Sequence, residues 1–227
     1  MPYPTRSLEL LLLLAGVFPS GLSYSLSYAF GSDPGTENRP KFLLILSLPF
    51  VALLSITGLF HAEWLQIHGP SLPWLSGGVL AIAVVFLVEY LTALLWVIAR
   101  TRRLPKGLAL QQYWAGKMTW GQHALLVVIA VGEELVFRGL GYAILGGSMG
   151  LPTWLVVGIT SVLYAFNHTF FGPVTATAKF ASGVIYGLLY LASGSLLVPV
   201  IAHVGYNFAL LSVSRIARRP REQPARA

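Results

Sequence analysis

Two adjacent glutamates, Glu133 and Glu134, interrupt the apolar run 123–145, and Arg138 follows four residues after the second. The whole chain has only eight acidic residues, and a charge at bilayer depth costs roughly 2.5–3.5 kcal/mol on insertion scales. On a helix Glu134 and Arg138 share a face and can form an ion pair, whereas neighbouring positions differ by about 100°. The spacing therefore predicts a paired Glu134 and a Glu133 that points into a cavity as a general base.

Two further polar clusters fall in later hydrophobic segments of the chain. One ends at His168, and the other contains His203 and Asn207, which share a helix face at i and i+4. Together with Glu133, these side chains could converge from three helices on one polar cavity. Such a set supplies a base, a group that orients water and neutral donors for an oxyanion. This combination predicts peptide hydrolysis without a covalent nucleophile.

Three motifs in order carry a resemblance to a known family. EELVFRG at 133–139, the aromatic-x-x-x-His pattern at 164–168 and HVGYN at 203–207 lie on successive hydrophobic segments. They resemble the motifs of the CPBP (Abi) family, which comprises the type II CAAX prenyl endopeptidases and their bacterial relatives, the glutamic-type intramembrane proteases. The resemblance covers about residues 120–210. The second motif most often begins with Phe, and Tyr164 departs from that pattern.

The resemblance implies a role for each matching residue. Glu133 would be the general base that activates water, and His168 would help to orient or activate that water. His203 and Asn207 would stabilise the tetrahedral oxyanion. A supporting set would surround these four residues: the structural pair Glu134 and Arg138, which fixes Glu133, and Tyr164, which packs or adds a hydrogen bond.

A purely structural interpretation of the same residues stays open. The pair of glutamates with Arg138 could be an ion-pair network that only locks two helices together. A single histidine in a membrane span is often an interhelical hydrogen-bond partner, worth about 0.6 kcal/mol on average. Glu89, in the third apolar segment, matches no motif, and it could face the cavity or lie near a basic interface.

Composition indicates a membrane protein of all-α class. Of the 227 residues 56% are hydrophobic and 10% are charged, whereas soluble domains carry about 25% charged residues. The chain has no cysteine, which excludes disulfides and cysteine nucleophiles. The net charge of +7 does not indicate a nucleic-acid partner, because the basic residues flank apolar segments as membrane topology requires.

Seven apolar runs are long enough to predict a polytopic helical bundle. Pro19 and Gly21 predict a kink in the first run. The basic segment 100–120, with Trp114 and Trp120, has the composition of an interfacial segment. We expect one membrane domain over 1–227, with the motif-bearing core at 120–210 and a disordered basic tail at 215–227. The predicted spans are 8–30, 42–60, 75–99, 121–145, 152–171, 176–192 and 195–214.

The distribution of basic residues predicts the orientation of the chain. All Lys and Arg residues except Arg6 and Arg138 fall on one side if the loops alternate, with Lys179 counted among them. The positive-inside rule then places the C-terminus in the cytoplasm. We expect a bacterial cytoplasmic (inner) membrane protein whose partners are the lipid bilayer and a membrane-anchored peptide substrate.

Two other functions remain compatible with the sequence. A zinc hydrolase could use Glu133 with His168 and His203, because two histidines and a carboxylate form a known catalytic zinc set. The H-E-x-x-H pattern is absent, so we expect no cofactor. The other alternative is a non-catalytic membrane protein, either an immunity factor or a scaffold for a partner helix.

Overall fold

The computed structural model describes residues 3–17, 19–30, 39–65, 67–104 and 118–217. In these ranges the chain forms helices and no strand, which confirms the predicted all-α bundle. Short 3₁₀ turns at Ala62–Leu65 and Thr169–Phe171 join some of the helices. The α-helices of the described residues are α1 (Tyr3–Val17), α2 (Pro19–Ala29), α3 (Arg39–Phe60), α4 (Leu72–Thr101), α5 (Trp120–Glu134), α6 (Thr153–Phe166), α7 (Pro173–Ser193) and α8 (Leu197–Ala217).

Three helices of the described residues, α3, α4 and α7, are long and apolar enough to cross a membrane. Helix α6 and the 197–213 part of α8 are apolar but shorter. Each predicted apolar run overlaps one of the observed α-helices or, for the first run, two of them. That all seven apolar runs cross the membrane stays a prediction.

Two described helices lie in the first apolar run. Helix α1 ends at Val17 and α2 begins at Pro19, and residue 18 lies outside the described residues, so the predicted kink stays a prediction. The Asn167 side chain donates a hydrogen bond to the Val17 carbonyl oxygen over 2.9 Å. The C-terminal end of α1 therefore contacts the C-terminal end of α6, one residue before His168.

Helix α5 has a defined start and an unusual continuation. Thr119 and Gln122 form a capping box, in which each residue's side chain accepts a hydrogen bond from the other's backbone N–H. Directly after Glu134 the helix continues in π-helical geometry over Leu135–Leu140 and again over Ala143–Ser148. Such insertions are frequent at functional sites, and here they begin beside the two glutamates.

Close packing of α7 against α6 depends on a glycine. A Cβ atom added at Gly183 would lie 3.2 Å from Ser161 Cα and 3.1 Å from the Tyr164 ring. The absence of a side chain at Gly183 also brings its carbonyl oxygen within reach of Arg138, which follows the C-terminal end of α5. Helices α4 to α8 thereby surround the motif residues.

The structure removes Lys179 from the basic residues that predict the orientation of the chain. Lys179, which the sequence places on the basic flank, lies in the second turn of α7 and is only 6% exposed. Its ammonium pairs with a carboxylate inside the bundle, so it gives no information on orientation. The structure does not describe residues 105–117, which include Trp114, or residues 218–227. The predictions made for these two segments therefore lie outside the described residues. Residues 215–217 of the predicted tail belong to α8.

Candidate active site

Glu133 lies near the C-terminal end of α5, and its side chain faces two histidines, His168 in the turn after α6 and His203 on α8. His168 Nε2 is 3.7 Å from Glu133 Oε1, and His203 Nε2 is 3.6 Å from Oε2. Glu133 is 4% exposed and His203 is 2% exposed. The structure therefore brings together the first glutamate of the pair and both histidines of the sequence prediction.

Glu134 is fully buried, and its carboxylate contacts Arg138 and the ring nitrogen of His203 that does not face Glu133. Arg138 Nη1 lies 3.1 Å from its carboxylate, which is the i, i+4 ion pair that the spacing predicts. Arg138 Nη2 also donates to the Gly183 carbonyl oxygen over 2.8 Å. His203 Nδ1 lies 2.8 Å from Glu134 Oε1, a contact that the sequence did not predict. Glu134 therefore links α5 to α8 as well as compensating Arg138.

The partners of the two histidines fix their tautomers. A carboxylate only accepts hydrogen bonds, so His203 Nδ1 carries the proton that it donates to Glu134. His168 Nδ1 lies 2.9 Å from the Tyr164 carbonyl oxygen and donates in the same way. In a neutral ring Nε2 is then an acceptor. Two acceptor nitrogens and the Glu133 carboxylate therefore converge, and a water molecule is a donor that could satisfy them.

Tyr164 is completely buried and contacts both His203 and Arg138. Its hydroxyl lies 3.4 Å from His203 Nε2, and the Arg138 guanidinium lies 4.9 Å from the centre of its ring. Tyr186 stacks against the other side of the His203 ring, with 5.0 Å between ring centres. The rings of Tyr164 and Tyr186 thus pack against His203 and Arg138.

One cavity of about 120 Å³ connects the four candidate catalytic residues. Glu133, His168, His203 and Asn207 all line its wall, and the space is large enough for water. Asn207 lies one turn after His203 on α8, so its amide faces the same cavity. The convergence expected from the three motifs is therefore present in the structure.

Comparison with known proteins finds a family model that part of this chain matches. Residues 115–209 match the family model described as "Type II CAAX prenyl endopeptidase Rce1-like". The matched, Rce1-like region covers less than half of the 227-residue chain. The match contains all three motifs and confirms the resemblance seen in the sequence.

One curated relative extends the comparison beyond the Rce1-like region. An "Uncharacterized 24.3 kDa protein" from Escherichia coli is 27% identical over 144 residues, which is 61% of this chain. The aligned part covers 62% of the length of that relative, so the chain spans less than two thirds of it. No solved structure matches this chain.

Glu89, for which the sequence left two positions open, lines the cavity, and the charged cluster that it forms was not predicted from the sequence. Lys179 Nζ donates to Glu89 Oε1 over 2.7 Å, and the Tyr206 hydroxyl donates to Glu89 Oε2 over 2.5 Å. These residues come from α7, α4 and α8, so no local spacing links them. The only available signal was the presence of an acidic residue in an apolar segment.

Among the described residues, no group of three or more His, Cys, Asp or Glu side chains is arranged to hold a metal ion.

Proposed function

We propose that this protein is an intramembrane endopeptidase that hydrolyses a peptide bond of a membrane-anchored substrate with a water molecule activated by Glu133. The observation that carries this proposal is the position of Glu133 opposite two histidine Nε2 atoms in the wall of a cavity. The Rce1-like match of residues 115–209 supports peptide hydrolysis as the reaction class.

The first step is attack by water on the scissile carbonyl carbon. Water in the cavity donates one hydrogen to Glu133 and the other to His168 Nε2, which directs an oxygen lone pair towards the substrate. Glu133 takes the proton as the C–O bond forms, and the carbonyl oxygen becomes an oxyanion. Glu133 then passes this proton to the leaving nitrogen as the C–N bond breaks, which regenerates the carboxylate.

The oxyanion needs hydrogen-bond donors that are already in place. The Asn207 amide is a neutral donor in the cavity wall. His203 can donate from Nε2 only as an imidazolium, because its Nδ1 proton is engaged by Glu134. In this mechanism Glu134 and Arg138 position His203 and keep Glu133 in place.

The cavity lies towards one end of the bundle. Its lining includes Phe42 at the start of α3, Ala93 in the second half of α4, Thr175 near the start of α7 and Leu211 in the second half of α8. Basic residues begin α3 and end α4. By the positive-inside rule this end faces the cytoplasm, so we propose that substrate reaches the site from the cytoplasmic side of a bacterial inner membrane.

The substrate class follows from the position of the site. A chain that already lies in the bilayer can reach a cavity inside the bundle without crossing bulk water. We therefore propose a C-terminal sorting helix, a leader or a CAAX-like tail as the segment that is cut.

The test is a comparison of protein termini in the native host between the wild type and a chromosomal Glu133→Gln strain. We expect at least one membrane or surface protein to keep its terminal segment only in the variant strain. If the variant protein is folded and expressed and no terminus changes, the endopeptidase proposal is wrong, and the immunity or scaffold function becomes the better explanation.

A further inference from the structure

The cluster of Glu89, Lys179 and Tyr206 lines the same cavity as Glu133, yet the reaction described above does not use it. Besides its hydrogen bond to Glu89, the Lys179 ammonium lies 4.5 Å from the centre of the Tyr206 ring. Lys179 and Glu89 are both more than nine-tenths buried. A buried ion pair gains little net stability over apolar residues of similar volume, so its position in the cavity wall calls for a functional explanation.

The cluster lies a short way along the cavity from the catalytic groups. On α7, Lys179 precedes Gly183 by one turn, and the Gly183 carbonyl oxygen accepts from Arg138. On α8, Tyr206 follows His203 by three residues. One helical turn rises about 5.4 Å, and an extended peptide advances about 3.3 Å per residue. A substrate bound in extended form would therefore pass Lys179 about two residues from the bond that is cut.

The charges of the cluster select the kind of group that could bind there. An ammonium has three N–H donors, and one of them donates to Glu89, which leaves donors for a group in the cavity. Both Glu89 oxygens already accept hydrogen bonds, from Lys179 and from Tyr206. Because Glu89 compensates the positive charge and Glu133 adds a negative one nearby, a neutral acceptor fits better than a carboxylate.

We propose that Lys179, held by Glu89 and Tyr206, donates a hydrogen bond to a backbone carbonyl of the substrate about two residues from the scissile bond. This contact fixes the register in which an extended peptide passes Glu133. The inference rests on the proposed endopeptidase function and adds a substrate-binding subsite to it.

Two matched double variants test the subsite, Glu89→Gln/Lys179→Met and Glu89→Gln/Lys179→Gln. Both remove the two buried charges together, and only the second keeps a side-chain N–H donor in place of the lysine. Each purified protein is reconstituted with membranes of the Glu133→Gln host strain, which retain uncleaved substrate, and new termini are quantified over time by mass spectrometry. We expect the variant with Lys179→Gln to stay within about threefold of wild type and the variant with Lys179→Met to be about tenfold slower, the effect of one hydrogen bond.

A synthetic lipid-anchored peptide whose sequence spans the first cleavage site identified in this way then separates substrate binding from the chemical step. We expect Glu89→Gln/Lys179→Met to raise KM about tenfold with kcat nearly unchanged. The effect should be equal for peptides that end in a carboxylate and in an amide. A KM effect confined to the carboxylate form would assign Lys179 to terminal recognition and overturn the proposal.

Other outcomes are equally decisive. Equal rates for both double variants, or an unfolded Glu89→Gln/Lys179→Gln protein in thermal unfolding, would assign the pair to stability alone and overturn the subsite. If wild-type protein releases no termini beyond those seen with Glu133→Gln, the endopeptidase proposal fails, and the subsite fails with it.

Discussion

Glu89 and Glu133 line one cavity, yet their carboxylates are compensated in different ways. The oxygens of Glu89 accept short hydrogen bonds from Lys179 and Tyr206, at 2.7 and 2.5 Å. In the described part of the chain, the ion-pair partners of Glu133 are two histidines, at 3.6 and 3.7 Å. A carboxylate engaged by strong donors is fixed in place, whereas one held by longer contacts beside a cavity can exchange protons with water. In the proposed function, Glu89 accordingly has a role in structure and binding, and Glu133 has the chemical role.

The largest effect should come from Glu133→Gln. The amide keeps the shape of the side chain and removes only the base, so we expect cleavage to fall by a factor of about 10²–10⁴ with an unchanged unfolding temperature. Release of new termini and thermal unfolding in detergent are the two measurements. Glu89→Gln is the matched control, because it leaves the Lys179 ammonium without its counter-ion and should reduce stability more than Glu133→Gln does. If Glu133→Gln lowers the unfolding temperature more than Glu89→Gln does, the roles proposed for the two glutamates are reversed.

Arg138→Ala should damage both stability and activity. Removing one partner of a buried ion pair leaves the other charge uncompensated, at a cost of about 3–5 kcal/mol, and Glu134 would then hold His203 less firmly. Denaturant unfolding and cleavage rates measure the two effects. Arg138→Lys keeps the charge and should recover part of the stability. A normally folded, fully active Arg138→Ala protein would show that the Glu134–Arg138 pair does not support the site.

Tyr164→Phe should have a small effect. The ring supplies the packing against Arg138 and His203, and only the contact of the hydroxyl with His203 Nε2 at 3.4 Å is lost. We expect cleavage to stay within about threefold of wild type, because a weak hydrogen bond contributes less than about 1 kcal/mol. Tyr164→Ala, which removes the ring, is the contrasting variant. If Tyr164→Phe reduces the cleavage rate as much as Tyr164→Ala does, the hydroxyl is a catalytic group.

Treatment with a metal chelator should leave cleavage unchanged. The proposed reaction uses Glu133 and two histidines directly on water and on the oxyanion, without a metal ion. Cleavage rates before and after exhaustive chelation, with unfolding temperature as the control for indirect damage, provide the test. Activity that is lost and then restored by zinc alone would replace the glutamate mechanism by the zinc hydrolase alternative.

Local spacing in the sequence determined a large part of this molecule. The helical class follows from long apolar runs with few charges, and the Glu134–Arg138 pair follows from four residues of separation on one helix. The ordered motifs around Glu133, His168 and His203 predicted which side chains would meet, and the structure brings these three together.

Contacts between helices were decided only by tertiary structure. The bond from His203 to Glu134, which fixes the histidine tautomer, joins residues 69 positions apart, and the one from Lys179 to Glu89 joins residues 90 positions apart. No periodicity encodes such pairs, because each helix can rotate about its axis and shift along it until side chains pack. For this reason the sequence position of Lys179 predicts a basic residue that flanks an apolar segment. Packing of α7 against α4 instead makes it a buried partner of Glu89.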